Sequence, residues 1–178
     1  ALIAYQTAYL KTYHKEDFIA ATMSTELTNT SKLREFIEEL KRLDIEIIKP
    51  SINKSFAEFK AIDGKIFYGL GAIKSVGFEA ISNIVKEREK NGKYKTFADF
   101  INRVDAKDVN KLQLEGLVKA GVFDEFDKDR NKIVNSIPKI IQQIKNINDD
   151  KENHQTNLFE GQDSSDKEFE FLPVETWT

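Results

Sequence analysis

Three of the chain's eight glycines, Gly69, Gly71 and Gly77, fall within nine residues, and an apolar series at helical spacing, Phe78, Ile81, Ile84 and Val85, follows directly. Glycines let a backbone turn tightly and approach another surface closely. A turn that feeds a helix N-terminus presents unpaired amide N–H groups, and such groups bind anions. Ser75 is placed to cap that helix with its hydroxyl, and Lys74 stands in the turn. Lys86, Arg88, Lys90, Lys93 and Lys95 continue the positive charge beyond it. Between Lys65 and Lys95, seven basic residues face three acidic ones, an excess of four positive charges in a chain whose net charge is -3. The chemistry this offers is contact with a negatively charged backbone. A glycine turn that merely joins two core elements has the same pattern.

Other residues invite chemical readings of their own. Gln155-Thr156-Asn157-Leu158-Phe159 sets a Leu-Phe pair in an acidic tail, where from Asp149 onward two basic residues face nine acidic ones. Such a pair either folds back on its own domain or docks as a short peptide, apolar anchors in a pocket and glutamine amide on hydrogen bonds. Asp124, Glu125, Asp127 and Asp129 crowd one loop, but the glycine and closing glutamate of an EF-hand are missing, so a solvated turn is the better reading. His14 and His154 are far apart and lack ligand-type neighbours at usable spacing. The sequence presents no catalytic constellation: its many carboxylates form no convincing magnesium-holding cluster.

The order Ile73-Lys74-Ser75-Val76-Gly77, then Ile81 and Ile84, resembles the helix-hairpin-helix motif. The resemblance implies a grip on the nucleic-acid backbone through hairpin amides, without reading of bases, with Ser75 where most members carry glycine. The longer string Phe67-Tyr68-Gly69-Leu70-Gly71-Ala72-Ile73-Lys74-Ser75-Val76-Gly77 is more specific. It resembles the helix-hairpin-helix region of the bacterial replicative DNA polymerase III alpha family. Ala4-Tyr5-Gln6-Thr7-Ala8-Tyr9-Leu10-Lys11 and Phe18-Ile19-Ala20-Ala21 are similar to the last part of that family's fingers.

This resemblance implies a non-catalytic piece of a replicase. Lys74, Ser75, Val76, Gly77, Phe78, Lys86 and Arg88 would contact duplex DNA backbone. Gln155, Leu158 and Phe159 would form the internal sliding-clamp motif, which the family places after its helix-hairpin-helix domain. Other replicase subunits are implied partners. Magnesium is implied only in a palm domain that these residues do not match, and no cofactor is expected in the present chain. A free-standing helix-hairpin-helix repair protein and an interaction scaffold using the acidic tail are the alternative readings.

The elements that must position these residues follow from periodicity and punctuation. Leu2, Tyr5, Tyr9 and Leu10 share one face of an opening helix. A second helix spans Lys15 to Leu27, with Phe18, Ile19, Ala21 and Thr22 inward. A third, from about Ser31 to Leu43, is capped by Asn29 or Thr30 and carries Leu33, Phe36, Ile37 and Leu40. These three are expected to form a small bundle. Ile45 to Lys49 alternates and stops at Pro50, which reads as a short strand. Asp63-Gly64 between Ser55–Ile62 and Lys65–Tyr68 is a two-residue hairpin signal.

Beyond the glycine motif, Asn91-Gly92 marks a helix end, Thr96 to Asp99 a capping box, and Asn110 the start of a helix with Leu112, Leu114, Leu117 and Val118 that Gly121 closes. Asn131 to Ile147 reads as an amphipathic helix kinked at Pro138, and Asn148 to Thr178 as linker or flexible tail.

The expected class is therefore mainly α with a small β-hairpin, a helical bundle plus a tandem helix-hairpin-helix domain. The expected divisions are 1–48 (end of fingers), 49–127 (tandem helix-hairpin-helix), 128–148 (amphipathic helix) and 149–178 (acidic tail with the clamp motif). With no cysteine there are no disulfides, and no apolar run approaches the ~20 residues of a membrane span. No membrane partner is expected and a cytoplasmic location is. Because the chain opens abruptly on a helical run without methionine, an excised fragment is expected.

Overall fold

The computed structural model describes residues 1–156 and Phe171. Its elements run α1 (Leu2–Tyr13), α2 (Lys15–Thr25), α3 (Thr30–Arg42), β1 (Ile47–Ile48), β2 (Lys60–Ile62), β3 (Lys65–Phe67), α4 (Phe78–Asn91), α5 (Phe97–Arg103), α6 (Lys111–Lys119) and α7 (Arg130–Thr156). Single 3-10 turns lie at Leu70–Ala72 and Ala106–Asp108. The class is as expected, mainly helical with one small sheet. No described helix is long and apolar enough to cross a membrane.

The sheet orders its strands β1-β3-β2. β2 and β3 are antiparallel, and the turn between them places Asp63 at φ 52° and Gly64 at φ 73°. Two successive left-handed residues match the twist of a hairpin, which is why Asp-Gly works there. β1 joins β3 in parallel, with Ile47 opposite Ile66. The division expected at residue 48 therefore cuts through the sheet.

Two apolar clusters organise the described residues. The first gathers Ile19, Ala20, Met23, Leu33 and Leu40 of α2 and α3 with Phe59 and Ile66 of the hairpin. On α2, Ala20 and Met23 point inward with Ile19, while Ala21 is exposed. The helix thus turns a slightly different face to the core from the one expected. α1 has no buried residue. Leu2, Tyr5, Tyr9 and Leu10 share a face as expected but stay exposed, so the buried part of the first cluster consists of α2, α3 and the sheet.

The second cluster runs from Ile52 and Leu70 through α4, α5 and α6 to Ile133, Ile137, Ile140 and Ile144 on one stripe of α7. Tyr94 sits at its centre. Its hydroxyl donates to Ile84 O at 2.9 Å, and the Arg103 guanidinium lies 4.4 Å above its ring. Burial pushes the phenol up to about 12, so it remains a hydrogen-bond donor at neutral pH.

Local signals hold where a side chain does the stopping or starting. Asn29, Thr96 and Asn110 each accept the N–H three residues on. Asp99 reaches back to Lys95 N, one residue before the cap, so the box closes one residue early. Gly92 and Gly121 take positive φ at 86° and 81°. α7 departs from expectation: it continues through Pro138 and past Ile147 to Thr156. Asn148 and Lys151, expected in a linker, instead bond the carbonyls of Val104 and Asn102. Phe171 also leaves the expected tail, packing on Phe97 at 5.3 Å between ring centroids.

Candidate nucleic-acid interface

The glycine-rich turn is built by close approach. Leu70 N donates to Phe56 O at 2.8 Å and Gly71 N to Ala57 O at 2.9 Å, laying 69–71 against the strand-like segment 56–59. A Cβ on Gly69 would stand 2.7 Å from Phe59 N, inside any real contact, so this position excludes every other residue unless the backbone shifts. The 3-10 turn follows, and Ile73 O accepts Val76 N at 3.1 Å to close the hairpin.

Ser75 sits at the tip with φ 69°. It is not the cap expected for α4. That helix begins at Phe78, and Gly77 occupies the cap position with extended backbone and no side-chain hydrogen bond. The physical reason is the hairpin itself, which needs a left-handed residue at its tip and puts Ser75 outside the helix. The consequence is a bare helix end. The amides of Lys74, Ser75 and Gly77, and those of Phe78, Glu79 and Ala80 in the first turn of α4, have no hydrogen-bond partner among the described residues. Lys74, Ser75, Gly77 and Phe78 are exposed and Val76 is half-buried. Phe78, which shares its helix face with Ile81, Ile84 and Val85, is 45% exposed at the hairpin, where the resemblance puts a DNA contact. Unpaired N–H groups at a helix start, with the positive end of the helix dipole behind them, form an anion site.

α6 holds the hairpin from behind. A Cβ on Gly116 would lie 2.8 Å from Lys74 O and 3.4 Å from Val76 Cγ2. Gly116 is therefore needed for the hairpin to seat, and the sequence reading missed it. Its signal was a glycine inside an otherwise ordinary helical pattern, which marks a close backbone approach.

The cations divide. Lys86 is exposed on α4. Arg88, expected to face DNA, does not: it is 7% exposed, and its Nη1 donates to Ile52 O at 2.8 Å and Ser55 O at 2.6 Å. Its guanidinium also lies 5.1 Å from the centroid of Phe56. Burial draws its pKa down from the usual arginine value. Arg88 braces the loop that carries the hairpin and is turned away from any ligand. The periodicity had already placed it: 88 follows 81, 84 and 85 on the inward face.

The companion hairpin joins α5 to α6 through Ala106–Asp108. Asp105 accepts Lys107 N at 3.0 Å and pairs with Lys107 Nζ at 2.9 Å. The Lys107 amide, then its side chain, pull the Asp105 carboxyl below its ordinary value. Asp108 is buried and accepts from Asn83 Nδ2 of α4 at 2.9 Å. Asn148 of α7 takes the Ala106 amide at 3.2 Å. Leu112, named with the apolar residues of α6, is 64% exposed.

The acidic loop after α6 has internal partners. Arg130 bonds Asp124, Ser51 bonds Glu125 at 2.9 Å, and Asp127 accepts Asp129 N at 2.9 Å. His14 joins α1 to α2. Of the residues expected to form the clamp motif, Gln155 has helical backbone at the end of α7, in a stretch expected to be linker or flexible tail. Leu158 and Phe159 lie outside the described residues.

The 3-10 turn Leu70–Ala72 and α4, joined by the first hairpin, lie against α5 and α6, joined by the second, and together form a tandem helix-hairpin-helix unit. The chain belongs to that family: the model described as the helix-hairpin-helix motif matches residues 44–133. Its relatives are more particular. It is 44% identical over 166 residues to DNA polymerase III subunit alpha of Borreliella burgdorferi, which takes in 93% of this chain and 14% of that protein. It is 40% identical over 163 residues to the same subunit of Campylobacter jejuni (89% and 14%). With that of Thermus aquaticus it shares 38% over 142 residues (80% and 12%). These findings bear out the resemblance to the DNA polymerase III alpha family read from the motif words. The chain spans about 14% of the length of the first of these curated relatives.

Proposed function

We propose that this chain is the DNA-holding and clamp-tethering portion of a bacterial replicative polymerase, acting in DNA replication without itself carrying the nucleotidyl-transfer centre. The hairpin Lys74–Phe78 binds duplex backbone phosphates through its amides, with Lys74 and Lys86 adding charge. Gln155, Leu158 and Phe159 tether the polymerase to the sliding clamp, in the cytoplasm and alongside other replicase subunits. The observation that carries the DNA reading is the uncapped start of α4, whose free amides lie beside an exposed lysine in a helix-hairpin-helix family member. Similarity to polymerase subunits favours this reading over a free-standing repair protein or a scaffold.

Titration of the 178-residue chain against a mixed-sequence duplex at several salt concentrations tests it. Binding is expected to be independent of sequence and to weaken steeply with salt. Affinity that ignores salt, or that follows base sequence, overturns it. The tether is tested separately, by titrating a purified bacterial sliding clamp with the wild-type chain and with a Leu158→Ala, Phe159→Ala double variant. Micromolar binding, about -8 kcal/mol, is expected for the former and none for the latter. Equal affinities would leave the Leu-Phe pair without a role in clamp binding.

A further inference from the structure

Gln113 is placed where the two helical pairs meet. It lies in the first turn of α6, and Asn110 Oδ1 accepts its backbone N–H at 2.9 Å. Its Nε2 is 3.0 Å from where a Cβ of Gly77 would stand, so the carboxamide rests against the residue that opens α4. Its Oε1 is sealed from water and has no hydrogen-bond partner, the one such buried side-chain atom found among the described residues. The amide is thus held with one end unsatisfied inside and the other at the face of the first hairpin. An apolar side chain of the same length would fill this space without leaving a polar atom unpaired, and buried polar atoms are rarely left so. The position therefore keeps a donor at the hairpin at a cost to internal satisfaction.

We propose that Gln113 is part of the backbone-phosphate site, its Nε2 donating to the phosphodiester oxygen that the amides of the hairpin and of the first turn of α4 hold. The inference rests on the reading of that hairpin as the DNA contact. A neutral donor adds a directed hydrogen bond and displaces no counterion. It changes affinity and leaves the salt dependence alone, whereas a cationic contact changes both. Gln113 also ties the companion helix α6 to the ligand, giving the second helical pair a part in binding that its own hairpin does not supply.

The test compares the 178-residue chain with Gln113→Met, Gln113→Glu and Lys74→Ala, by fluorescence anisotropy on a short mixed-sequence duplex across a salt series, with thermal melts beside it. Gln113→Met is expected to raise Kd roughly fivefold, the effect of one hydrogen bond, at an unchanged slope of log Kd against log salt. Its Tm should equal or exceed that of the wild type, because the orphaned oxygen is gone. Gln113→Glu keeps the shape and sets a negative charge beside the phosphate, so it should bind more weakly than Gln113→Met. Lys74→Ala should weaken binding and also flatten the slope by about 0.9. If Gln113→Met binds as the wild type does while Lys74→Ala is impaired, this inference falls and the hairpin reading stands. If Gln113→Met loses Tm and affinity together while Gln113→Glu retains both, Gln113 only packs and the inference also falls. If the wild-type chain does not bind, or Lys74→Ala binds unchanged, the hairpin reading itself fails.

Discussion

The two hairpins share a topology and differ in what satisfies their amides. In the first, residues 73–77, the tip carries Lys74 with no acidic side chain before Glu79, and six consecutive or near-consecutive amides find no internal partner among the described residues. In the second, residues 104–110, Asp105 takes the Lys107 amide, Asn148 takes the Ala106 amide, and Asp108 bonds Asn83. Asp105 and Asp108 also give the second hairpin two carboxylates, that of Asp105 paired with Lys107 and that of Asp108 buried against α4. One hairpin is left open to an outside anion, and the other has anions of its own built in. Duplication of a motif therefore does not duplicate a site. The second pair serves as a base, with Gly116 seating the first hairpin and α7 clipping the second from behind.

The largest effect should come from a cation on the first helical pair that is not at the interface. Arg88→Ala leaves two carbonyls without their donor and opens a gap under Phe56. It should cost about 3 kcal/mol of stability, read by urea or thermal unfolding. The folded fraction should keep the wild-type salt slope for DNA. Lys86→Ala should do the reverse, leaving stability unchanged and flattening the slope. A stable Arg88→Ala protein with a flatter slope would return Arg88 to the interface.

Gly77→Val tests the open amides directly. Gly77 has φ -76°, a value any residue adopts, and the nearest atom to a new Cβ is the far end of Gln113. The substitution should therefore cost little Tm, while a branched side chain over the free amides should weaken DNA binding about tenfold, roughly 1.4 kcal/mol. Equal losses of folding and binding would mean the glycine serves packing alone. The companion experiment is Lys107→Ala on the second hairpin. Lys107 already pairs with Asp105, so its removal should leave both affinity and slope unchanged. A slope that falls with Lys107→Ala as it does with Lys74→Ala would erase the distinction between the hairpins.

The sequence made the punctuation of this fold legible and left its long-range partners obscure. Asn29, Asp63-Gly64, Gly92, Thr96 and Asn110 act within three or four residues, and each does what its type predicts. Ser75 was misplaced because two local roles competed for it: capping is common for serine, but the hairpin needs a left-handed tip, and geometry at the tip prevailed. Arg88 was misassigned by its charge, though its spacing already gave its burial. Gly116 and Gln113 act only through residues some forty positions earlier, on the hairpin, so local pattern could not assign them. α7 outran its apolar stripe because Asn148 and Lys151, polar in sequence, bond carbonyls of the second pair. Polar composition looks like linker until its partners are known.

Asn148→Ala probes the closed hairpin. It frees the Ala106 amide and Val104 O together and should cost about 1 kcal/mol, seen in the unfolding midpoint. DNA affinity should not rise, because Asp105 still holds the Lys107 amide and keeps its carboxylate at that hairpin. A gain in affinity would show that α7 masks a second working site and that the asymmetry is regulatory.

The smallest effect, and the finest test of the open hairpin, lies at its tip. Ser75 holds φ 69°, where a side chain is strained and glycine is not. Its backbone makes the turn, and its hydroxyl has no hydrogen-bond partner among the described residues, so nothing internal is lost by removing it. Ser75→Gly relieves the strain but also frees the unfolded chain, two effects of opposite sign. For a left-handed site the first prevails, and a gain of about 0.5–1 kcal/mol is expected. DNA binding should be kept or slightly tightened, because the amide of residue 75 then meets phosphate without a Cβ beside it. Ser75→Ala separates the two contributions. It removes the hydroxyl and keeps the strain, so it should match wild type in stability and in affinity. If Ser75→Ala weakens binding while Ser75→Gly does also, the hydroxyl itself touches phosphate, and the site works by a side chain at its tip as well as by bare amides.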